Sequence, residues 1–204
     1  MNKKDTACVV FYTDKRYDGL VDNVKNSFLT FNGEECDYFQ VDYTNQEQYN
    51  KELEYFEYAP ETFIMQYVYA YEIMRKHNYK KVIILGSDTI VCSRLDEFLD
   101  NTEYDAMFSS GPPYPFLKTE YWEPRVDTFL HEGQTYQDCT FINADVACTN
   151  NLKMANLLFA TTLEYWTGQQ DQGGMNYCYL NQTELGIKVK IVDYPYVKTK
   201  SLYN

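Results

Sequence analysis

The sequence predicts an α/β protein with a mainly parallel central sheet and helices on both of its faces. Short apolar runs rich in β-branched and aromatic residues alternate along the chain with segments whose apolar residues recur at helical spacing. Such alternation is typical of a layered fold in which helices connect parallel strands. The length of 204 residues is enough for one sizeable core, so we expect a single domain over residues 1–204, which can itself belong to a longer chain.

Three strands and two long helices are predicted in the first half of the chain. The apolar runs that predict strands are Ala7–Thr13, Cys36–Tyr43 and Val82–Leu85. The segments with helical spacing are 20–31 and Glu61–His77. In the first of these helices four apolar residues fall on one face, which we expect to pack on the sheet. They are Leu20, Val24, Phe28 and Phe31. Ser93 is expected to cap a short helix that ends at Leu99.

The second half continues the alternation. Strands are predicted at Asp105–Ser110, Cys139–Thr149 and Ile187–Tyr194. One helix follows Asn150 or Asn151, either of which can be its N-cap, and another begins near Gln172. Residues 111–137 hold four of the six prolines and are predicted to be irregular. Irregular sections of that length within compact domains are usually functional or disordered.

Composition and charge exclude several classes of protein. The net charge of −12 disfavours binding to the phosphates of nucleic acids and to anionic membranes. No apolar run approaches the roughly 18 residues of a membrane span, and the one near the N-terminus stops at Thr13 without a cleavage-type sequence. The six cysteines include no CxxC pair, which favours reduced thiols. We therefore expect a cytoplasmic protein with no nucleic-acid partner and no membrane span.

Several motifs that would identify another kind of enzyme are missing. The sequence has no GxxxxGK[ST] loop, no GxGxxG after the first strand and no GxSxG elbow. The only histidines, His77 and His131, lie in charged or polar segments without a nearby cysteine, which indicates surface positions rather than a zinc site. These absences leave the polar residues at the strand ends as the main candidates for a site.

Three polar clusters fall at predicted strand ends, where open α/β sheets bind their ligands. They are Thr13-Asp14, Ser87-Asp88 and Asn143-Ala144-Asp145. Asp88 follows a buried strand by two residues, and a carboxylate there can hold Mg²⁺ or Mn²⁺. Such a cation would reconcile an acidic protein with a phosphate-bearing substrate. The alternative is that Asp88 is a turn residue that caps the backbone of Ile90 or Val91.

Four segments resemble landmarks of the GT-A fold glycosyltransferases. "KKVIILGSDTIVCSRLDEFL" (Lys80–Leu99) is similar to their Asp-x-Asp segment, and "VVFYTDKRYDGLVDNVKNSF" (Val9–Phe28) to their first strand and helix. "FINADVACTNN" (Phe141–Asn151) and "DQGGMNY" (Asp171–Tyr177) resemble the strand and the motif that line the sugar pocket. The nearest relatives by resemblance are glycogenin-like and bacterial lipopolysaccharide galactosyltransferases, with plant and yeast xylosyl/galactomannan-type transferases as another possibility.

The resemblance implies a glycosyltransferase that moves a hexose from a nucleotide-sugar, with UDP as the expected nucleotide, to a carbohydrate or glycan acceptor. The residues implied to bind the donor nucleotide are Tyr12, Thr13 and Asp14, with Arg16 or Tyr17, and Ser87 with Asp88. Asp88 is also implied to be a ligand of Mn²⁺ or Mg²⁺. The residues implied to face the transferred sugar or the acceptor are Asn143, Asp145, Asp171 and Gln172, together with Tyr114 and Trp122 of the aromatic loop 112–122.

The sequence departs from that family in three places. Gly86 stands where the family has the first Asp of Asp-x-Asp, and Ser87 cannot replace it as an anionic ligand. No histidine follows His131, although glycogenin-like enzymes use a late histidine as a metal ligand. Residues 66–71 lack the family's basic residue. The absence of a membrane anchor also departs from Golgi-type relatives and suits a bacterial, cytosolic or large-DNA-virus enzyme.

The mechanism implied by the resemblance is retention, in which Asp171 or Gln172 would stabilise an oxocarbenium-like centre. In an inverting enzyme, Asp145 or Asp171 would be the general base for the acceptor hydroxyl. Two other functions remain open from the sequence. A sugar-nucleotidyltransferase shares the layered fold, but "TDKRYDGL" carries one glycine where such enzymes have a Gly-rich basic loop. A non-catalytic module that binds nucleotide-sugars would account for the missing first Asp.

Overall fold

The structure, a computed structural model, describes residues 4–12, 14–52, 64–110, 142–165 and 172–192, with the side chain of Asn143 excepted. These residues form one six-stranded sheet with helices on both faces. The strands are β1 Thr6–Tyr12, β2 Cys36–Asp42, β3 Lys81–Leu85, β4 Ala106–Ser110, β5 Ile142–Thr149 and β6 Val189–Val192. The predicted α/β class is confirmed, and no described helix has the length and apolar character that crossing a membrane requires.

The sheet is mainly parallel, as predicted, with one antiparallel strand. Its strand order is β2-β1-β3-β5-β4-β6. The pairs β1·β2, β1·β3 and β4·β6 are parallel, whereas β5 runs antiparallel to both of its neighbours. The N-terminal end of β5 therefore lies at the edge of the sheet where β3 ends. We call this edge the carboxyl edge and the opposite one the amino edge.

The helices cover the two faces unequally. They are α1 Asp18–Asn32, α2 Gln46–Glu52, α3 Met65–His77, α4 Asp96–Leu99, α5 Leu152–Glu164, α6 Gln172–Leu180 and α7 Gln182–Leu185, with a 3-10 turn at Lys15–Tyr17. Residues of α3, α5 and α6 pack with Val9 and Ile84 on one face. Residues of α1 and α4 pack with Val10 and Leu85 on the other. Successive strand residues thus enter different cores, which is why the strands are apolar throughout.

The buried face of α1 differs from the prediction. Val24 and Phe28 are buried as expected, but Leu20 is only partly buried and Phe31 is 39% exposed. Val21 and Asn32 take the expected inner positions. The reason lies in Asn32, whose Oδ1 accepts the backbone N–H of Leu95 at 2.9 Å. A buried polar side chain with its partner satisfied can occupy a face that hydrophobicity alone assigns to Phe31.

Ser93 is not the N-cap of α4, so that prediction is wrong. The helix begins at Asp96, its N-cap is Leu95, and that position makes no side-chain capping bond. The chain just before the helix is held instead by Arg94, whose guanidinium pairs with Asp96 at 2.6 Å and also with Glu35. With the chain held in this way, the helix begins at Asp96, too far along the chain for the Ser93 hydroxyl to cap it.

Candidate functional site

The described residues of the three polar clusters lie along the carboxyl edge, but the strand direction that places Asp145 there differs from the prediction. Asp14 follows the end of β1, and Ser87-Asp88 follows the end of β3. Asp145 belongs to the N-terminal half of β5, and the antiparallel direction of that strand places it beside the end of β3. A prediction based on carboxyl ends alone would have assigned Asp145 to a parallel strand.

A tight turn carries Ser87 and Asp88 beyond β3. The N–H of Thr89 donates to the carbonyl of Gly86 at 3.2 Å, which makes Ser87 and Asp88 the two central residues of the turn. The turn is fixed to β5, because Gly86 N–H donates to the Asp145 carbonyl at 2.8 Å and Thr89 Oγ1 donates to the same carbonyl at 3.4 Å. The sequence therefore holds Asp88 on a defined backbone rather than on a free loop.

Asp88 is half-buried, and its burial raises the pKa of its carboxyl above the ordinary range, although the N–H of the same residue opposes the shift. Within the described residues it makes no ion pair. Of the two alternative assignments, a cap for the backbone of Val91 is not supported, since Val91 N–H donates to Ser27 Oγ at 3.1 Å, whereas a cap for the backbone of Ile90 stays a prediction. A desolvated carboxylate at a strand end is a suitable ligand for a hard cation.

Asp145 lies directly across the ladder from Gly86. The register pairs Leu85 with Val146, so the next residues along, Gly86 and Asp145, are opposite each other. A Cβ added to Gly86 would lie 2.8 Å from Asp145 Oδ1 and 3.2 Å from Thr89 Oγ1. Glycine thus leaves open a small space that a carboxylate oxygen borders. No pattern in the sequence indicates this pairing, because it depends on the direction of β5.

The donor set at this edge fits a divalent cation that is held together with a substrate. No group of three or more His, Cys, Asp and Glu side chains that could hold a metal occurs in the part of the chain that the structure describes. Mg²⁺, however, is usually bound through one or two carboxylates plus substrate phosphates and water. Asp145 supplies one carboxylate beside the space at Gly86, and Asp88 supplies a second on the turn that follows Gly86.

Tyr12 lies at the end of β1 in a cluster with Tyr43 and Asp18, two residues that were not predicted to belong to the site. It is 7% exposed, and its ring packs edge-on against Tyr43 with 6.2 Å between ring centroids. Tyr43 OH donates to Asp18 Oδ2 at 2.7 Å. Burial, with the carboxylates of Asp42 and Asp18, raises the pKa of Tyr12 and keeps its hydroxyl protonated. Tyr43 is the last residue of the predicted second strand, and that position was the available signal for it.

Asp14 and Arg16 form the turn between β1 and α1. Asp14 caps the 3-10 turn by accepting the Arg16 N–H at 2.9 Å, and it also accepts from Arg16 Nε at 2.7 Å. These hydrogen bonds hold the pKa of Asp14 below its usual range. The Arg16 side chain is 74% exposed. The pair therefore holds the 3-10 turn at its first residues and leaves part of the guanidinium open to solvent.

Gln172 begins α6 at the carboxyl edge. Helix α5 starts at the amino edge, where Asn151 Nδ2 donates to Asp105 Oδ1 at 2.8 Å, and it is about 20 Å long. Its far end therefore lies toward the carboxyl edge. The start of α6 packs on that far end, since a Cβ on Gly174 would lie 2.4 Å from Thr162 N. Oε1 of Gln172 is buried and has no hydrogen-bond partner among the described residues.

Several predicted site residues lie outside the described residues. They are Thr13, Tyr114, Trp122, Asp171 and the side chain of Asn143. The structure therefore fixes the turn that carries Asp88 to the backbone of Asp145 and places Tyr12, Asp14, Arg16 and Gln172 at the same edge.

Comparisons with known proteins bear on the fold. Neither the models of known protein families nor the curated proteins give a match. Among solved structures, one similar to this chain is described as a glycosyltransferase involved in the glycosylation of the major capsid of PBCV-1. The likeness covers 93% of this chain and 80% of that one, with a TM-score of 0.53 and 9% identity. Identity that low shows the fold alone, so the chain has a Rossmann-like, glycosyltransferase-like α/β fold.

Proposed function

We propose that this chain is a glycosyltransferase that moves a hexose from a UDP-sugar to a carbohydrate acceptor with the help of a divalent cation. One observation carries the proposal: the half-buried carboxylate of Asp88 sits on a fixed turn at the carboxyl edge, beside Asp145. That edge is where α/β sheets of this kind bind their ligands. The glycosyltransferase-like fold selects glycosyl transfer among the reactions that two carboxylates and a cation can support.

The donor nucleotide would lie across the ends of β1 and β3. Asp88 would hold Mn²⁺ or Mg²⁺, which when bound neutralises charge on the diphosphate as it departs. The hydroxyl of Ser87, the other central residue of the turn, can donate to a phosphate oxygen. Tyr12 presents a protonated hydroxyl at the end of β1, and we assign the base to it together with Thr13, Asp14 and Arg16.

The transferred sugar would lie toward the start of α6. Gln172 has a buried, unpartnered Oε1 among the described residues, and an acceptor of this kind suits a sugar hydroxyl. We expect Asn143 and Asp171 to line the same region and Tyr114 and Trp122 to stack on acceptor sugar. Retention with Asp171 or Gln172 at the anomeric carbon is our preferred course. Inversion would instead need Asp145 or Asp171 as the base.

Replacing Gln172 with Leu is expected to lower turnover of the donor without loss of stability. The amide oxygen has no partner to lose among the described residues, so the melting temperature should stay the same or rise. The matched variant is Gln182→Leu, because Gln182 Oε1 accepts the Val189 N–H at 2.6 Å. That variant should melt at a lower temperature with the turnover of the folded protein unchanged. Kinetics of UDP release and thermal unfolding measure both; equal turnover in Gln172→Leu and wild type would remove Gln172 from the site.

A panel of nucleotide-sugars tests the proposed function. Thermal unfolding is measured with each donor, with and without Mn²⁺, and UDP release is then followed for every donor that stabilises the protein. We expect one or a few UDP-sugars to stabilise the fold in the presence of Mn²⁺ and to be turned over. Stabilisation by nucleoside triphosphates in preference would indicate a sugar-nucleotidyltransferase. Tight donor binding with no hydrolysis or transfer would indicate a non-catalytic binding module.

A further inference from the structure

The missing first Asp of the Asp-x-Asp segment leaves a question about the second carboxylate of the site. Gly86 occupies that position, and its backbone is fixed by the 2.8 Å hydrogen bond from its N–H to the Asp145 carbonyl. Residues directly opposite on an antiparallel ladder project their side chains to the same face of the sheet. A side chain at position 86 and the side chain of Asp145 would therefore point into one volume.

The available space holds one carboxylate. A Cβ at position 86 would lie 2.8 Å from Asp145 Oδ1, 3.2 Å from Thr89 Oγ1 and 3.3 Å from Asp145 Cα. The first distance is shorter than real Cβ contacts allow, so a side chain at position 86 would require the Asp145 carboxylate to turn away, and the contacts with Thr89 Oγ1 and Asp145 Cα would stay tight. Two like charges placed directly opposite would add repulsion to the steric conflict. The absence of a side chain at position 86 and the position of the Asp145 carboxylate are therefore linked.

Resting on the proposed function, we infer that Asp145 supplies from β5 the carboxylate that the first Asp of the motif would supply from β3. The carboxylate has moved across the ladder to the residue opposite, while Asp88 keeps its place on the turn. Asp145 is then a metal ligand rather than a general base, and Asp171 remains for that role if the enzyme inverts. The cation would be shared by Asp88, Asp145 and the diphosphate of the donor.

Two carboxylates without a cation repel a diphosphate. The inference therefore predicts that Asp145→Asn weakens UDP binding when Mn²⁺ is present but does not weaken it when Mn²⁺ is absent. In Asp145→Asn, the affinity for UDP in the presence of Mn²⁺ should fall by at least the roughly 10- to 100-fold that the loss of a metal ligand's outer partner costs. With EDTA in place of Mn²⁺, the same variant should bind UDP as tightly as the wild type or tighter. A residue with a merely structural role would weaken both.

An exchange of the two residues provides the second test. Gly86→Asp alone should lower the melting temperature, because its Cβ meets Asp145 Oδ1. The double variant Gly86→Asp/Asp145→Ala removes that contact and returns the carboxylate to β3. It should recover the melting temperature and the Mn²⁺-dependent affinity for UDP relative to Asp145→Ala alone. The control is Asp100→Asn, because Asp100 is exposed and follows α4, whose last two residues accept hydrogen bonds from Lys81 at the amino edge.

Calorimetric titration of UDP into each variant, with Mn²⁺ or with EDTA, separates the outcomes. Mn²⁺-dependent affinity within two-fold of wild type in Asp145→Asn overturns the inference and leaves the proposed function standing. A double variant that binds no better than Asp145→Ala overturns the exchange in the same way. Wild-type affinity for UDP that does not depend on Mn²⁺ overturns this inference together with the metal role of Asp88, and leaves only the binding of UDP from the proposed function. Absence of UDP binding by the wild type under both conditions overturns the proposed function and this inference with it.

Discussion

Asp88→Asn is expected to abolish the Mn²⁺-dependent part of UDP binding while it makes the folded protein more stable. The carboxylate is half-buried, and burial raises its pKa. Above about pH 4, the charged carboxylate therefore lowers the free energy of unfolding. An acid whose pKa is raised by folding lowers the free energy of unfolding as the pH rises from the unfolded pKa, about 3.9, through the folded one. The neutral amide avoids that loss, and it cannot serve as an anionic metal ligand.

The measurement is thermal unfolding of Asp88→Asn and wild type between pH 3 and pH 8, together with UDP titrations with and without Mn²⁺. The stability advantage of the variant should be largest at neutral pH and should shrink near pH 3, where the wild-type carboxyl is protonated. Asp100→Asn, an exposed carboxylate outside the site, should change neither quantity. A variant that melts lower than wild type at pH 7 and keeps its response to Mn²⁺ would show that Asp88 is a structural turn residue.

Gly174→Ala is expected to lower the stability of the fold strongly. An added Cβ would lie 2.4 Å from Thr162 N, 2.6 Å from Thr162 Cα and 2.7 Å from Thr162 Oγ1. Two of these atoms are backbone atoms of α5, so the conflict cannot be relieved by turning a side chain. Overpacking of this kind costs about 1–3 kcal/mol and sometimes more. Because α6 would have to shift at its start, we also expect Gln172 to move and donor turnover to fall.

Urea unfolding measures the change, and Gly19→Ala is the matched control. Gly19 lies in the first turn of α1, is exposed and has nothing within 4 Å of an added Cβ. That variant should gain roughly 0.4–1 kcal/mol, because alanine restricts the unfolded chain and suits a helix. Equal unfolding midpoints for Gly174→Ala and wild type would mean that α6 does not pack as closely on α5 as described.

The strands could be predicted from the sequence because each is a short apolar run. Both faces of the sheet are covered, so successive residues of a strand are apolar and enter two different cores. Val82–Leu85 is the clearest case, with Ile84 in one core and Leu85 in the other. The direction of β5 could not be predicted, since an apolar run has the same composition in either direction. The buried position of Asn32 and the late start of α4 also escaped prediction, because both depend on long-range hydrogen bonds such as that from Leu95 N–H to Asn32 Oδ1.

The candidate site could be predicted only where one residue carries the signal. Asp88 was proposed because it follows an apolar strand by two residues, and Tyr12 because of the resemblance of the first strand to that of the family; both roles stay predictions. The relation between Gly86 and Asp145 could not be found, since the two are 59 positions apart in the sequence and meet only through the register of β3 with β5. Tyr43 and Asp18 were missed because their contact joins a strand end to a helix start.

Calorimetric titration of the wild-type chain with UDP, first with Mn²⁺ and then with EDTA, tests the central claim most directly. The claim is that the carboxyl edge around Asp88 binds a nucleotide diphosphate together with a divalent cation. It predicts saturable binding of one UDP per chain, with an affinity that rises when Mn²⁺ is present. Absence of any heat of UDP binding, with and without Mn²⁺, would contradict it.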